Sequence, residues 1–187
     1  PILGIWASGA QPAANAGSFE SIATVTVGSG GTSNVEFTSI PGTYTHLQLR
    51  YIAQSSSGGS ADIMNVQMQF NSDTAANYKR HYLLGTGAAV SAAADTSRSN
   101  IVIGTAPTND YTNCFNAGVV DILDYANTNK YKTLRSLAGF DANGSGQIRL
   151  TSGLWTYGTN ALTSITLSCG AVSFMQYTQF ALYGIKA

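Results

Sequence analysis

The sequence has few charges and few histidines. Of its 187 residues, nine are Lys or Arg and nine are Asp or Glu, so 10% are charged and the net charge is zero. Soluble domains usually carry about 25% charged residues, so this surface must consist largely of Ser, Thr, Asn, Gln and Gly. A neutral chain has no net field that attracts nucleic acid or an anionic membrane, and we expect neither partner. Domains with so little charge tend to self-associate, which favours an oligomer.

Cysteine is also scarce. Cys114 and Cys169 show no C-x-x-C spacing and no neighbouring histidine cluster, which argues against a zinc site and against a redox motif. We expect two buried free thiols, with a disulfide as the open alternative. The sequence also lacks a basic leader and a long apolar run, so we expect no signal peptide and no membrane span.

No segment shows a helical apolar stripe longer than about two turns, whereas period-two alternation recurs from residue 19 onward. In 62–70, for example, Met64, Val66, Met68 and Phe70 share one face of a strand. The pattern predicts nine or ten strands in an all-β fold, an antiparallel β-sandwich of jelly-roll type. The predicted segments after the first two strands are 45–53, 62–70, 100–104, 115–123, 131–140, 147–154, 162–168 and 174–185.

Glycine, serine and asparagine mark the connections between these strands. The first strand, with Val25 and Val27, and a short second one around Val35 are interpreted as a hairpin across a glycine-rich turn. The stretches 127–129 and 141–144 predict tight turns, because Asn and Gly accept positive φ. The stretches 54–61 and 85–99 are predicted as loops.

The N-terminal residues differ in composition from the rest. Residues 1–18 lack strand alternation and are predicted to be an extended arm, and 19–187 to be one β-sandwich domain. The arm is expected to make assembly contacts through four apolar anchors: Ile2, Leu3, Ile5 and Trp6. Burying them would contribute on the order of 6 to 10 kcal/mol before the cost of ordering the segment. Docking on a neighbouring subunit and folding back on its own domain are both open.

The side chains that usually carry catalysis are sparse, so we expect no enzyme, no cofactor and no metal. His46 is expected on the polar face of a strand, and His81 stands among cationic neighbours. Asp121 and Asp124 are three residues apart in a predicted strand, which places them on opposite faces. The segment 70–74 is interpreted as a turn rather than a Ca²⁺ loop, because it has too few carboxylates.

Several stretches resemble small structural proteins of tailed bacteriophages. They are Phe19-Glu20-Ser21-Ile22-Ala23-Thr24-Val25, the run from Val35 to Arg50, Phe70-Asn71-Ser72-Asp73 with Asn77-Tyr78, and Phe180-Ala181-Leu182-Tyr183-Gly184-Ile185-Lys186. The resemblance implies a virion protein that is made in the host cytoplasm.

Two roles fit that resemblance. One is a capsid decoration or cement protein, a homotrimer that binds the major capsid protein or other virion proteins through its arm. The other is a tail fibre or spike domain that binds a host glycan, for which the ten tyrosines offer stacking surfaces. The sequence shows no repetitive shaft or coiled coil, which favours the first role.

Overall fold

A computed structural model describes residues 18–56 and 63–186 of the chain. The described residues form twelve β-strands in two antiparallel sheets and no helix, which confirms the predicted all-β sandwich. The strands are β1 (Phe19–Thr26), β2 (Asn34–Phe37), β3 (His46–Ala53), β4 (Ile63–Phe70), β5 (Tyr78–Gly85), β6 (Val90–Arg98), β7 (Ile101–Pro107), β8 (Asn116–Leu123), β9 (Lys132–Asp141), β10 (Gly146–Trp155), β11 (Ile165–Ser168) and β12 (Gln179–Ile185).

Eight of the strands form a jelly roll. The pairs are nested along the chain, with β1 on β12, β2 on β11, β3 on β8 and β4 on β7. The pairs β1–β12 and β3–β8 lie side by side in one sheet, and β2–β11 and β4–β7 do so in the other. This wrapping of two four-stranded sheets is the jelly-roll arrangement.

Two hairpins enlarge one of the sheets. The hairpin β9–β10 follows β8 and pairs with it, and the hairpin β5–β6 then adds to β10, so the large sheet has the order β1-β12-β3-β8-β9-β10-β5-β6. The small sheet has only four strands. The large sheet therefore extends beyond it through the two inserted hairpins.

The core lies between the sheets and follows the predicted alternation. Leu47, Leu49 and Tyr51 of β3 are buried, as are Val66 and Met68 of β4. Two separate groups of aromatic rings pack in this core: Phe70, Tyr78 and Trp155 form one, and Tyr51, Phe180 and Phe174 form the other.

Two predictions about connections were wrong. The strands around Val25 and Val35 do not form a hairpin, because β1 joins the large sheet and β2 the small one, and the glycine-rich segment crosses between them. The segment predicted as a loop at 85–99 contains β6, an Ala- and Ser-rich edge strand. Its side chains are exposed except for the half-buried Asp95, so the segment lacks the apolar alternation that marks a strand in sequence.

The turn at 141–144 is confirmed. Asn143 and Gly144 have φ values of 56° and 105° and connect β9 to β10. This conformation favours Asn and Gly, as the sequence indicated. The predicted loop at 54–61 falls partly on residues 57–62, which lie outside the described residues.

Candidate functional site

The outward side of the large sheet carries an unusual concentration of exposed apolar side chains. They lie on the two inserted hairpins and the adjoining ends of β3 and β8, and we call this surface the apolar face. Its members are the exposed residues Ile52, Leu83, Val90, Ala92, Ala117, Leu137, Ile148 and Leu150 and the half-buried Val119.

Strand register places a row of leucines across the middle of this face. Leu150 of β10 pairs with Leu137 of β9 on one side and with Leu83 of β5 on the other. The row continues to Val119 beyond Leu137 and to Ala92 beyond Leu83. Each of the three leucines keeps about half of its surface exposed. Five neighbouring strands thus present one uninterrupted apolar band.

A second row runs beside the first, nearer the hairpin turns, and contains a protruding isoleucine. Ile148 pairs with Gly139 on one side and with Gly85 on the other, so neither neighbour has a side chain to cover it. It is 58% exposed, and Val90, which follows in the same row, is 82% exposed. Ile148 therefore stands out from the sheet as an isolated apolar knob.

Shallow depressions lie on both sides of the ridge that Leu150 and Ile148 form. One, of about 450 Å³, is lined among others by Ile52, Val119 and Leu137. The other, of about 490 Å³, is lined by Leu83, Leu150, the alanines of β6 and part of His81. The surface therefore alternates between depression, ridge and depression across the strands.

A polar ladder borders the apolar face on the side away from the hairpin turns. The Arg50 guanidinium donates to the Gln48 amide oxygen at 2.8 Å, and the Gln48 amide nitrogen donates to Asp121 at 2.8 Å. Arg135 completes the ladder by donating to the same carboxylate at 3.0 Å. An apolar centre with a polar rim is the composition of a protein–protein interface.

The size of the apolar face makes it significant. Its six large exposed side chains, Ile52, Leu83, Val90, Leu137, Ile148 and Leu150, expose on the order of 600 Å², at the upper limit of the largest apolar patch on an ordinary monomer. At about 25 cal/mol per Å², covering it would contribute roughly 15 kcal/mol before the cost of association. A surface of this kind marks an interaction site.

The sequence prediction of assembly contacts concerned other residues. The anchors Ile2, Leu3, Ile5 and Trp6, and the arm up to residue 17, lie outside the described residues. The apolar face was missed in part because three of its nine members, Leu83, Val90 and Ala92, lie on β5 and β6, which were not predicted as strands. On β10, the alternation of Ile148 and Leu150 resembles a core pattern, but Arg149 and Thr151 are the buried side chains.

The residues considered for catalysis lie apart from one another, and His46, Asp121 and Asp124 make structural hydrogen bonds or ion pairs. His46 accepts a hydrogen bond at Nδ1 from the backbone N–H of Asp124 at 3.0 Å. His81 projects outward from β5 beside Ser152. Asp121 belongs to the polar ladder, and Asp124 pairs with Lys130. Within the described ranges, no three His, Cys, Asp or Glu side chains come together in a group that could hold a metal ion.

The turn after β4 confirms the interpretation of 70–74 as a structural turn. The Asp73 carboxylate accepts hydrogen bonds from the Trp155 indole at 2.7 Å, the Asn77 amide at 2.9 Å and the Ala75 backbone N–H at 2.9 Å. Burial alone would raise the pKa of Asp73, but these donors outweigh it and hold the pKa below its ordinary value of 3.8. The carboxylate is committed to the fold.

We expect Asp73→Asn to destabilise the protein by about 1 to 2 kcal/mol at pH 7, because an amide cannot accept from all three donors. The pKa of Asp73 is lower in the folded state than in the unfolded one. Its contribution is therefore present above pH 3.8 and is lost as the pH falls through the folded-state value. Urea unfolding at pH 7 and at pH 3 checks this, and the difference between wild type and variant should shrink at pH 3. Glu36→Gln, an exposed change on β2, is the control, and a pH-independent difference would contradict the assignment.

Both cysteines are free, as expected, but the expectation that both are buried holds only for Cys169. Cys169 is buried in the core, and burial raises its thiol pKa to about 12. Cys114 is only half-buried, and its thiol lies 3.2 Å from the carbonyl oxygen of Asp141. No disulfide joins the two residues.

Comparison with known proteins places this site in no family. Neither the models of protein families, nor the curated proteins, nor the solved structures include a match to this chain. In residues 18–56 and 63–186, no helix is long and apolar enough to cross a membrane. The function has to be inferred from the geometry of the molecule itself.

Proposed function

We propose that the chain is a structural subunit of a phage-type virion, a capsid decoration or cement protein that stabilises the shell. The observation that carries this proposal is the apolar face, an uncharged interaction surface of the size found in protein assemblies. The jelly roll supports it, because viral capsid domains and lectins both use this fold. Fold alone does not decide function, so the surface is the stronger support.

The proposed mechanism is adhesion through two elements. Ile2, Leu3, Ile5 and Trp6 of the arm attach the subunit to the major capsid protein, and the domain contacts other subunits, with a homotrimer as the proposed unit. Many identical weak contacts on one particle then add up to tight retention. This mechanism needs no cofactor and no catalytic group, and it places the protein in the virion.

The direct test is retention on particles purified from a host that produces the chain. Cryo-electron microscopy should locate the domain on the icosahedral shell. A full-length variant with Ile2→Ser, Leu3→Ser, Ile5→Ser and Trp6→Ser should fold but be lost from particles in a density gradient. Gln11→Ser with Asn15→Ser changes the same segment without removing apolar surface and should be retained. Retention of the fourfold variant at the wild-type level would overturn the role of the arm, and density on the tail would overturn the decoration role.

A glycan-binding tail domain is the alternative. Pairing of Lys132 with Trp155 brings Tyr131 and Tyr157, both about half-exposed, to the same end of the large sheet. Exposed tyrosines close together can stack on sugar rings. Glycan-array binding by the chain that Tyr157→Ala abolishes would support this role instead of decoration.

A further inference from the structure

We infer that a second copy of this chain covers the apolar face in the assembled protein. The inference rests on the proposed function in assigning the assembly to a particle, but the contact itself is measurable in solution. The inference names a partner for the apolar face, to which attachment through the arm assigns none.

The extent of the face fits this partner. An exposed apolar area on the order of 600 Å², with its polar rim, approaches the roughly 800 Å² that each partner contributes to an interface of standard size. Between the ladder and the hairpin turns, the outward positions of β9 and β10 are Leu137, Gly139, Ile148 and Leu150, without a charge. A partner that binds there must therefore offer an uncharged apolar surface, and the same face of another copy is such a surface.

The relief of the face is self-complementary. The ridge of Leu150 and Ile148 is flanked by depressions of about 490 and 450 Å³. In a twofold contact, such as one between subunits of two neighbouring homotrimers, each surface meets its own copy, so a ridge beside a depression can seat in the depression of the partner. The knob formed by Ile148, with glycine on either side, fits this packing without displacing any neighbouring side chain.

The charge pattern of the whole chain agrees with self-contact. With nine positive and nine negative residues, two copies approach without net repulsion. Arg135 and Asp121 at the rim already neutralise each other at 3.0 Å. In the part of the ladder that Asp121 and Arg135 form, desolvation therefore leaves no unpaired charge. The third charged side chain, Arg50, lies beside Val119 at the end of the leucine row with its guanidinium over the Phe19 and Tyr183 rings.

The test uses the full chain and a central charge substitution. Leu150 projects outward from the middle of the leucine row, so Leu150→Lys should leave the core intact and place a charge in the contact. Sedimentation velocity over a concentration series should show an oligomer for wild type and association weakened by at least about 30-fold for Leu150→Lys. Ile148→Asp is the second variant. Because both cross-strand neighbours of Ile148 are glycines, the new side chain displaces no neighbouring side chain. Circular dichroism establishes that each variant is folded.

The matched control is Thr133→Lys, which adds the same charge at an exposed outward position of β9 outside the apolar face. It should change association by less than about 3-fold. Equal effects of Thr133→Lys and the two face variants, or a wild type that is monomeric at about 100 μM, would overturn the inference.

The arm is the other candidate that could cover the apolar face. One variant distinguishes cover by the arm from cover by a second copy. The full-length chain with serine substitutions at Ile2, Leu3, Ile5 and Trp6 should self-associate like wild type if another copy covers the face. Loss of association in this variant to the extent seen for Leu150→Lys would identify the arm as the occupant and overturn the inference. Normal self-association together with loss from particles would support both proposals, whereas retention on particles would contradict only the role of the arm in attachment.

Discussion

Replacing Gly118 by alanine should lower the free energy of unfolding by roughly 3 kcal/mol. Gly118 lies on β8 directly beside Tyr51 of β3, and the buried Tyr51 ring lies flat over it. A Cβ atom at position 118 would overlap the ring atoms Cε1 and Cζ of Tyr51. Because Gly104 from the small sheet also contacts Tyr51, the ring has no free space to move into.

Chemical denaturation of the two proteins measures this effect, and the melting temperature should fall by roughly 6 to 12 °C. Gly42→Ala is the matched control, since no atom lies within 4 Å of a Cβ built there. The double variant Tyr51→Leu with Gly118→Ala should be destabilised by less than the sum of the single changes, because the smaller side chain removes the overlap. Additive effects would show that Tyr51 is not the cause.

Replacing Lys132 by methionine should destabilise the protein by about 3 to 5 kcal/mol. Lys132 points into the interior from the start of β9 and is only 1% exposed. Its ammonium group donates to three backbone carbonyl oxygens, those of Asn127 at 2.5 Å, Lys130 at 2.9 Å and Thr159 at 2.9 Å. Methionine fills similar space but donates nothing, so three carbonyls lose their partner.

Urea unfolding and hydrogen exchange together check this prediction. Exchange should accelerate in the connections 124–131 and 156–164, which Lys132 holds together, before it does in the core strands. Lys79→Met, on the exposed side of β5, removes the same charge without a buried partner and should change stability by less than about 0.5 kcal/mol. A Lys132→Met variant as stable as Lys79→Met would show that the carbonyls find other donors.

Strands with a clear alternation of apolar and polar residues could be predicted from the sequence. The strands with which they pair could not. In β3 and β4 every second residue is apolar and is buried or, for Met64, half-buried, so the sequence pattern defines both the strand and its inner face. Pairing joins residues as distant as Phe19 and Ile185, and no local pattern encodes that contact. The predicted hairpin of the first two strands was wrong for this reason.

The apolar face could not be predicted, for two physical reasons. The β6 strand has no apolar alternation because almost all of its side chains face solvent, and its pairing with β5 defines it instead. On β10 the polar residues Arg149 and Thr151 are buried while Ile148 and Leu150 are exposed, which reverses the usual assignment of faces. Arg149 tolerates this position because its guanidinium lies over the Tyr82 ring at 3.8 Å and donates to the Thr151 hydroxyl.

The placement of β1 at the opposite edge of the large sheet from β6 has a further consequence. Five to six strand spacings, or roughly 24 to 29 Å, separate β1 from the strands β10 and β5 at the centre of the leucine row. Ser18, the first residue that the structure describes, and the leucine row therefore lie at well-separated points of the domain. If, as we propose, the segment before Ser18 attaches to the major capsid protein and the leucine row contacts another copy, the subunit is a cross-link with two ends. A layer of such subunits can then spread mechanical load across a shell instead of only covering it.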